Sequence, residues 1–159
     1  MDDYEHKPTI LINNDMWYMN FDSAYYKYGS GAGISLYNSF RKTFFFYRLK
    51  LSCTNNVVEF EALLLGLENA LKLGCKKITV YSDYKLIINL VRKLYTPSNK
   101  LMRRYTTLVN ELASKFVSFE ISHVKRNLNV VADNLALYAS HSDRYSWVEK
   151  LDCSVIYIY

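Results

Sequence analysis

The chain is poor in residues that bind metals through sulfur or nitrogen, or that cross-link a fold. Its 159 residues hold three cysteines and three histidines. Cys53, Cys75 and Cys153 lie far apart, form no Cys-x-x-Cys pair and are odd in number. That argues against a zinc ribbon and against a secreted disulfide framework. His6, His123 and His141 form no paired metal-ligand motif. With two prolines and five glycines, there is no Pro/Gly-rich linker, and no repeat or low-complexity stretch occurs. No uncharged apolar run reaches membrane-spanning length. The start, Met1-Asp2-Asp3-Tyr4-Glu5, is acidic, the wrong sign for a signal or transit peptide. The expectation is a soluble, intracellular monomer with no membrane partner and no disulfide-linked partner. Nucleus and cytoplasm stay equally open.

What is present is a globular composition. Half the residues are apolar or aromatic and 22% are charged, enough for one domain with an ordinary core. Twenty Lys and Arg against fifteen Asp and Glu give +5, which permits a polyanionic partner without requiring one.

Periodicity orders the elements. Met16 to Phe21, Gly31 to Tyr37 and Thr43 to Leu51 read as three strands of an antiparallel meander, with a turn at Asn38-Ser39. Thr54-Asn55-Asn56 is a helix-start signal, and Asn56 with Glu59 has the spacing of a capping box. That helix is apolar nearly all round and should stop at Gly74. Ile78 to Tyr81 reads as a strand, Tyr84 to Leu94 and Lys100 to Phe116 as helices, and Val117 to Val124 as a fifth strand. A loop at 127–129 precedes a last helix, Val130 to Ser140. The expected fold is α/β: a five-stranded mixed sheet, three antiparallel strands followed by βα units, with helices on both faces. Residues 1–15 read as an N-terminal extension, 16–140 as the domain, and 141–159 as a tail of no clear period.

Four carboxylates fall at comparable places. Asp22 ends the first strand, Glu59 opens the first helix, Asp83 ends the fourth strand, and Asp133 opens the last helix. Strand ends and helix starts converge on one edge of such sheets, where ligands bind. Four acids brought together there repel unless a divalent cation lies among them, and oxygen-only ligands suit Mg²⁺ or Mn²⁺. Two such ions clamp a phosphodiester for in-line attack. Each acid also has a structural use: Glu59 in a capping box, Asp83 as an N-cap, Asp22 in a turn, Asp133 on a solvated helix face. Gly29, Gly31 and Gly33 alternate and bare one face of their strand. A bend or bulge and a close approach by substrate stand level as explanations.

Five blocks in order carry a family resemblance: Asn20-Phe21-Asp22-Ser23-Ala24; Gly29-Ser30-Gly31-Ala32-Gly33-Ile34; Thr54 through Leu63; Val80-Tyr81-Ser82-Asp83; and His123-Val124-Lys125-Arg126 leading to Ala132-Asp133-Asn134-Leu135-Ala136. The chain from Trp17 to about Ser140 resembles type 1 ribonuclease H, and is most similar to the version in plant long-terminal-repeat retrotransposon polyproteins. The resemblance implies a ribonuclease H-like fold and a two-ion Mg²⁺ or Mn²⁺ site made by Asp22, Glu59, Asp83 and Asp133. Asp22 would bridge both ions. Asp133 would serve the ion that activates water, and Glu59 and Asp83 the ion at the leaving 3′ oxygen. His123 matches a loop histidine that assists product release or proton transfer. Ser23, Thr54, Asn55 and Asn56 fall at nucleic-acid-binding positions. The activity implied is hydrolysis of the RNA strand of an RNA–DNA hybrid.

Three departures from the family pattern bear on the site: Ser23 and Val58 where Gly and Ala are usual, and Tyr84 where a small or polar residue is usual. The segment from Thr96 to Arg104 is too short for the basic handle of some cellular members. Lys100, Arg103 and Arg104 offer partial substitute charge. These departures motivate a second reading, a retrotransposon-derived nucleic-acid-binding module that keeps the fold and cleaves little or not at all. A third reading is an α/β remnant with no ligand.

Overall fold

The computed structural model describes residues 16–26, 29–49, 54–141, 147–149 and 155–158. The elements are β1 Met16–Tyr26, β2 Gly29–Tyr37, β3 Lys42–Leu49, α1 Asn55–Lys72, β4 Lys77–Ser82, α2 Lys85–Val91, α3 Lys100–Ala113, β5 Ser118–His123, α4 Val130–Ser140, β6 Trp147–Glu149 and β7 Val155–Ile158. A 3₁₀ turn at Arg126–Leu128 leads into α4.

The sheet runs β5-β4-β1-β2-β3-β7-β6. β1, β2 and β3 form the expected antiparallel meander. β4 joins β1 in parallel and β5 joins β4 in parallel. The five strands and their mixed directions match the reading of the sequence. Two short strands were not anticipated: β7 pairs antiparallel with β3, and β6 with β7. They fall within the stretch read as a tail, and three- and four-residue strands give periodicity too little length to register.

Alternate residues of β1 and β2 serve opposite faces. Met19 and Ile34 face α1: a Cβ on Gly66 of that helix would stand 2.5 Å from the Met19 Sδ. Gly31 and Gly33 face α4, where added Cβ atoms would meet Ala136 O at 2.0 Å and Ala132 O at 2.3 Å. Gly31 and Gly33 therefore admit a helix backbone, whereas Gly29 faces the Arg48 side chain. Helices lie on both faces, as expected.

α1 buries side chains all round because it lies between the sheet and α3. Phe60, Leu63 and Leu67 meet Met19, Phe21 and Ile34 in one core. Glu61, also buried, accepts the Tyr105 hydroxyl at 2.5 Å. The helix stops as expected at Gly74, which takes φ of 84°, while Leu73 N–H donates to Asn69 O. α2 is shorter than the periodicity suggested. Lys93 turns left-handed at φ 64°, and Leu94 and Tyr95 N–H both fold back on Asn89 O. Leu94 and Tyr95 are left exposed.

Cys75 is buried with a free thiol. Cys53, Cys153 and His6 lie outside the described residues. Among the described residues no helix is long and apolar enough to cross a membrane.

Candidate active site

β1 outruns β4. The parallel pairing ends at Asn20 and Tyr81, whereas β1 continues to Tyr26 against β2. Asp22 is thus inside a strand, opposite Gly33, and not at a strand end as the sequence suggested. Past Asn20, the β4 side of β1 has no strand to bond. There the buried Asn129 side chain donates its amide to Phe21 O at 3.0 Å and accepts from Asn20 Nδ2 at 3.0 Å. Ser23 N–H turns to carboxylates instead, 2.8 Å from Asp22 Oδ1 and 3.1 Å from Glu59 Oε1.

Glu59 lies on the first turns of α1 and is 4% exposed. The capping box does not form. Thr54 is the N-cap, accepting from Val57 N–H, and Glu59 instead accepts the Ser23 hydroxyl at 2.5 Å. Its other oxygen, Oε2, is buried with no hydrogen-bond partner. An orphaned carboxylate oxygen in a core is costly unless a cation or proton meets it.

Asp83 follows β4 directly and is half-buried. It does not cap α2, whose N-cap is Tyr84 with no side-chain cap bond. Asp133 is on the first turn of α4, brought over β1 by the two glycines of β2. His123, the last residue of β5, pairs in register with Ser82 and is exposed.

Charge records the convergence. Burial pushes the Asp22 carboxyl up to about 6, with the Asp83 charge adding to it and Asp133 contributing further. Glu59 is raised well above the usual carboxylate range, by burial first and Asp22 second. Burial also raises Asp83, opposed by Arg126 and reinforced by Asp133. Asp22, Glu59, Asp83 and His123 open on one cleft of about 600 Å³, with Ser23 and Asn55. Asp133 acts on this group electrostatically without lining the cleft. Thr54 is occupied in capping, and Asn56 accepts a hydrogen bond from the Tyr84 hydroxyl and lines a neighbouring groove rather than the acid cleft.

Sequence reasoning missed part of the wall. Lys85, Lys125 and Arg126 line the cleft and set three cations around the acids. Lys125 and Arg126 were noted beside His123, but nothing in their spacing said which way they point. Asn129, read as loop, pins α4 to β1.

Among the described residues, no group of three His, Cys, Asp or Glu side chains stands in metal-holding arrangement. The chemistry of the donors fits a hard divalent cation nonetheless. The ligands are all oxygen, Asp22 is raised by burial and by Asp83, Glu59 is raised by burial and by Asp22, and Glu59 Oε2 is unpartnered.

Comparison with known proteins agrees with this architecture. A family model described as reverse transcriptase-like matches residues 20–139. Ribonuclease HI of Halobacterium salinarum is 32% identical over 83 residues, covering 52% of this chain and 42% of that protein. A bifunctional protein of Mycobacterium tuberculosis is 32% identical over 83 residues, but the match spans only 23% of its length. The crystal structure of RNase H1 from Halobacterium salinarum superposes with a TM-score of 0.71 at 25% identity, covering 78% of this chain and 96% of that one. An RNase H1 in complex with RNA/DNA hybrid shares the fold at 20% identity and a TM-score of 0.68, covering 77% of this chain and 95% of that one. With a match across most of its length and the same sheet beneath it, the chain belongs to the reverse transcriptase-like family and carries a ribonuclease H-like domain.

Proposed function

We propose that the protein is a metal-dependent endonuclease that hydrolyses the RNA strand of RNA–DNA hybrids. The observation that carries this reading is the Asp22–Ser23–Glu59 arrangement beside Asp83. Asp22, raised by burial and by Asp83, beside a buried Glu59 that Asp22 raises in turn and whose second oxygen is orphaned, makes a site that favours a cation. Asp22, Glu59, Asp83 and Asp133 would hold two Mg²⁺ or Mn²⁺ ions. Such ions, when bound, supply an activated water and charge stabilisation at the leaving 3′ oxygen.

The remaining steps belong to the chain's own residues. Lys85, Lys125 and Arg126 attract and orient the phosphodiester at the cleft mouth. The Asn55 side chain, at the start of α1 and on the cleft wall, is a donor for the substrate backbone, with Thr54 and Asn56 extending that surface. Ser23 N–H fixes the first carboxylate pair. His123, exposed on the same wall, holds or moves a proton near the leaving group and frees the product. Residues 16–140 form the catalytic unit, which acts as a monomer. Residues 1–15 are an extension, and 141–159 add β6 and β7. The block pattern suits descent from a retrotransposon polyprotein.

One observation favours the second reading, binding with little cleavage. The hydroxyl of Ser23, where the family has glycine, occupies a Glu59 oxygen that an ion would otherwise use. Incubating the purified protein with labelled RNA–DNA hybrid, duplex RNA and duplex DNA, with and without Mg²⁺ or Mn²⁺, separates the two. Hybrid cleavage that needs metal, leaving 5′-phosphate and 3′-hydroxyl ends, is the expected result. Tight hybrid binding without cleavage in either metal would establish the binding module instead.

A further inference from the structure

A second cavity, of about 460 Å³, lies at the start of α4 and shares no lining residue with the acid cleft. Its position follows from register. Moving along β2 from Gly31 to Gly33, the helix atoms overhead step back from Ala136 and Ser140 to Ala132. The next residue on that face, Ser35, lies opposite Asn20, beneath the first residues of α4.

Three features there call for an anion. The first-turn N–H groups of α4, from Val130, Val131 and Ala132, have no carbonyl within the helix. Asn129 precedes them but provides no side-chain cap, since both ends of its amide are engaged by Asn20 and Phe21 O. Ser35 lines the cavity and is 5% exposed, and its hydroxyl has no hydrogen-bond partner among the described residues. Lys42, opposite Tyr37 in the β2–β3 register, supplies a cation on the outer wall. Asp133 does not line this cavity; its charge acts on the Asp22 and Asp83 side.

We propose that this cavity, formed by the open amides of α4, the Ser35 hydroxyl and the Lys42 ammonium, binds a phosphate group of a nucleic-acid strand. Open helix-start amides with an adjacent cation recognise oxyanions. The half-exposed Phe44 ring and the exposed Leu128 line the same cavity. They offer an apolar rest for the sugar or base attached to that phosphate, which distinguishes a nucleotide unit from a bare ion. Because Lys125 and Arg126 line the acid cleft and the next three residues, Asn127, Leu128 and Asn129, line this cavity, a strand bound in one continues toward the other. In this respect the inference extends the hybrid-nuclease reading, although phosphate binding itself needs no cleavage.

The test uses the full chain, isotopically labelled, in metal-free buffer. Titration with inorganic phosphate should shift the backbone amide signals of Val130, Val131 and Ala132 along a saturating curve. Lys42→Glu should weaken that binding about tenfold, the scale of one charge-assisted contact. Ser35→Ala should weaken it several-fold, and Asp22→Asn should leave it in place. RNA–DNA hybrid should displace the phosphate, and Lys42→Glu should weaken hybrid affinity while leaving the single-turnover rate at saturating hybrid unchanged. Unshifted helix-start amides, or identical curves for wild type and Lys42→Glu, would overturn the site. Phosphate that binds but is not displaced by hybrid would overturn its assignment to a nucleic-acid strand. A protein that binds phosphate here and cleaves nothing would sink the nuclease reading alone.

Discussion

Gly33 and Ala132 stand so close that a Cβ on the glycine would lie 2.3 Å from the alanine carbonyl oxygen. Gly33 is also the cross-strand partner of Asp22, and Ala132 is the neighbour of Asp133. One backbone contact therefore sets the spacing between two of the four acids.

Gly33→Ala should lift α4 away from the sheet. The oxygen it meets is backbone and cannot swing aside, so the cost should reach or exceed the roughly 1–3 kcal/mol of ordinary overpacking. Metal-dependent hydrolysis should fall with it. Gly29→Ala is the control, because its added Cβ would meet only the movable end of the Arg48 side chain, with Nε at 2.9 Å. Equal losses for the two variants in urea denaturation would mean that α4 is not held by this contact.

The metal-free protein should become less stable as the pH rises toward neutrality. Asp22 titrates at about 6 in the fold against an ordinary 3.8, so the folded state binds more protons between those values. Its favourable contribution is complete below the lower value and is lost as the pH rises through the upper one. Asp22 alone accounts for a loss on the order of 2–3 kcal/mol, and Glu59 acts in the same direction. Urea midpoints in EDTA should drop between about pH 4 and about pH 7. Asp22→Asn should flatten that drop; a drop of the same size in the variant would place the repulsion elsewhere.

Asp22→Asn should also abolish hydrolysis and leave the fold intact, since it removes one of several clustered charges. Millimolar Mg²⁺ or Mn²⁺ should raise the melting temperature of the wild type. A ligand bound only by the native state contributes about 2.7 kcal/mol at a hundredfold excess over its dissociation constant. In an Asp22→Asn, Asp83→Asn double mutant the rise should be far smaller. Identical shifts in the two proteins would show that the acids do not share an ion.

Ser23→Gly should release Glu59 Oε1 from the serine hydroxyl while keeping the backbone N–H that also reaches it. The expected result is a larger metal-induced stabilisation and faster metal-dependent cleavage. The apo fold should weaken by about 0.5–1 kcal/mol from glycine within a strand. A variant no more responsive to metal than wild type would acquit the hydroxyl.

The sheet was legible because β1 to β5 are long enough to show a period and are bounded by turn or cap signals. The family blocks also singled out Asp22, Glu59, Asp83 and Asp133, which the fold brings within electrostatic reach of one another. Individual roles were less legible. Asn56 and Glu59 have the spacing of a capping box, but spacing does not reveal that Glu59 points inward to Ser23 while Thr54 caps. The glycines of β2 announced a close approach without naming what approaches. Asn129 was invisible for a related reason: its partners, Asn20 and Phe21, lie more than a hundred residues away in sequence. Such contacts leave no local pattern.

The overhang of β1 beyond β4 divides one strand into two dynamic halves. From Tyr18 to Asn20 the backbone is paired with β2 along one edge and with β4 along the other, so Met19 should exchange its amide hydrogen only when the whole domain opens. From Asp22 onward one edge is held by β2 and the other by side chains alone. Ser23 N–H, which rests on two carboxylates, should exchange through smaller local openings. Asp22 is thus hung on the compliant end of a rigid strand, where it can draw toward Glu59 around incoming charge without the core being disturbed.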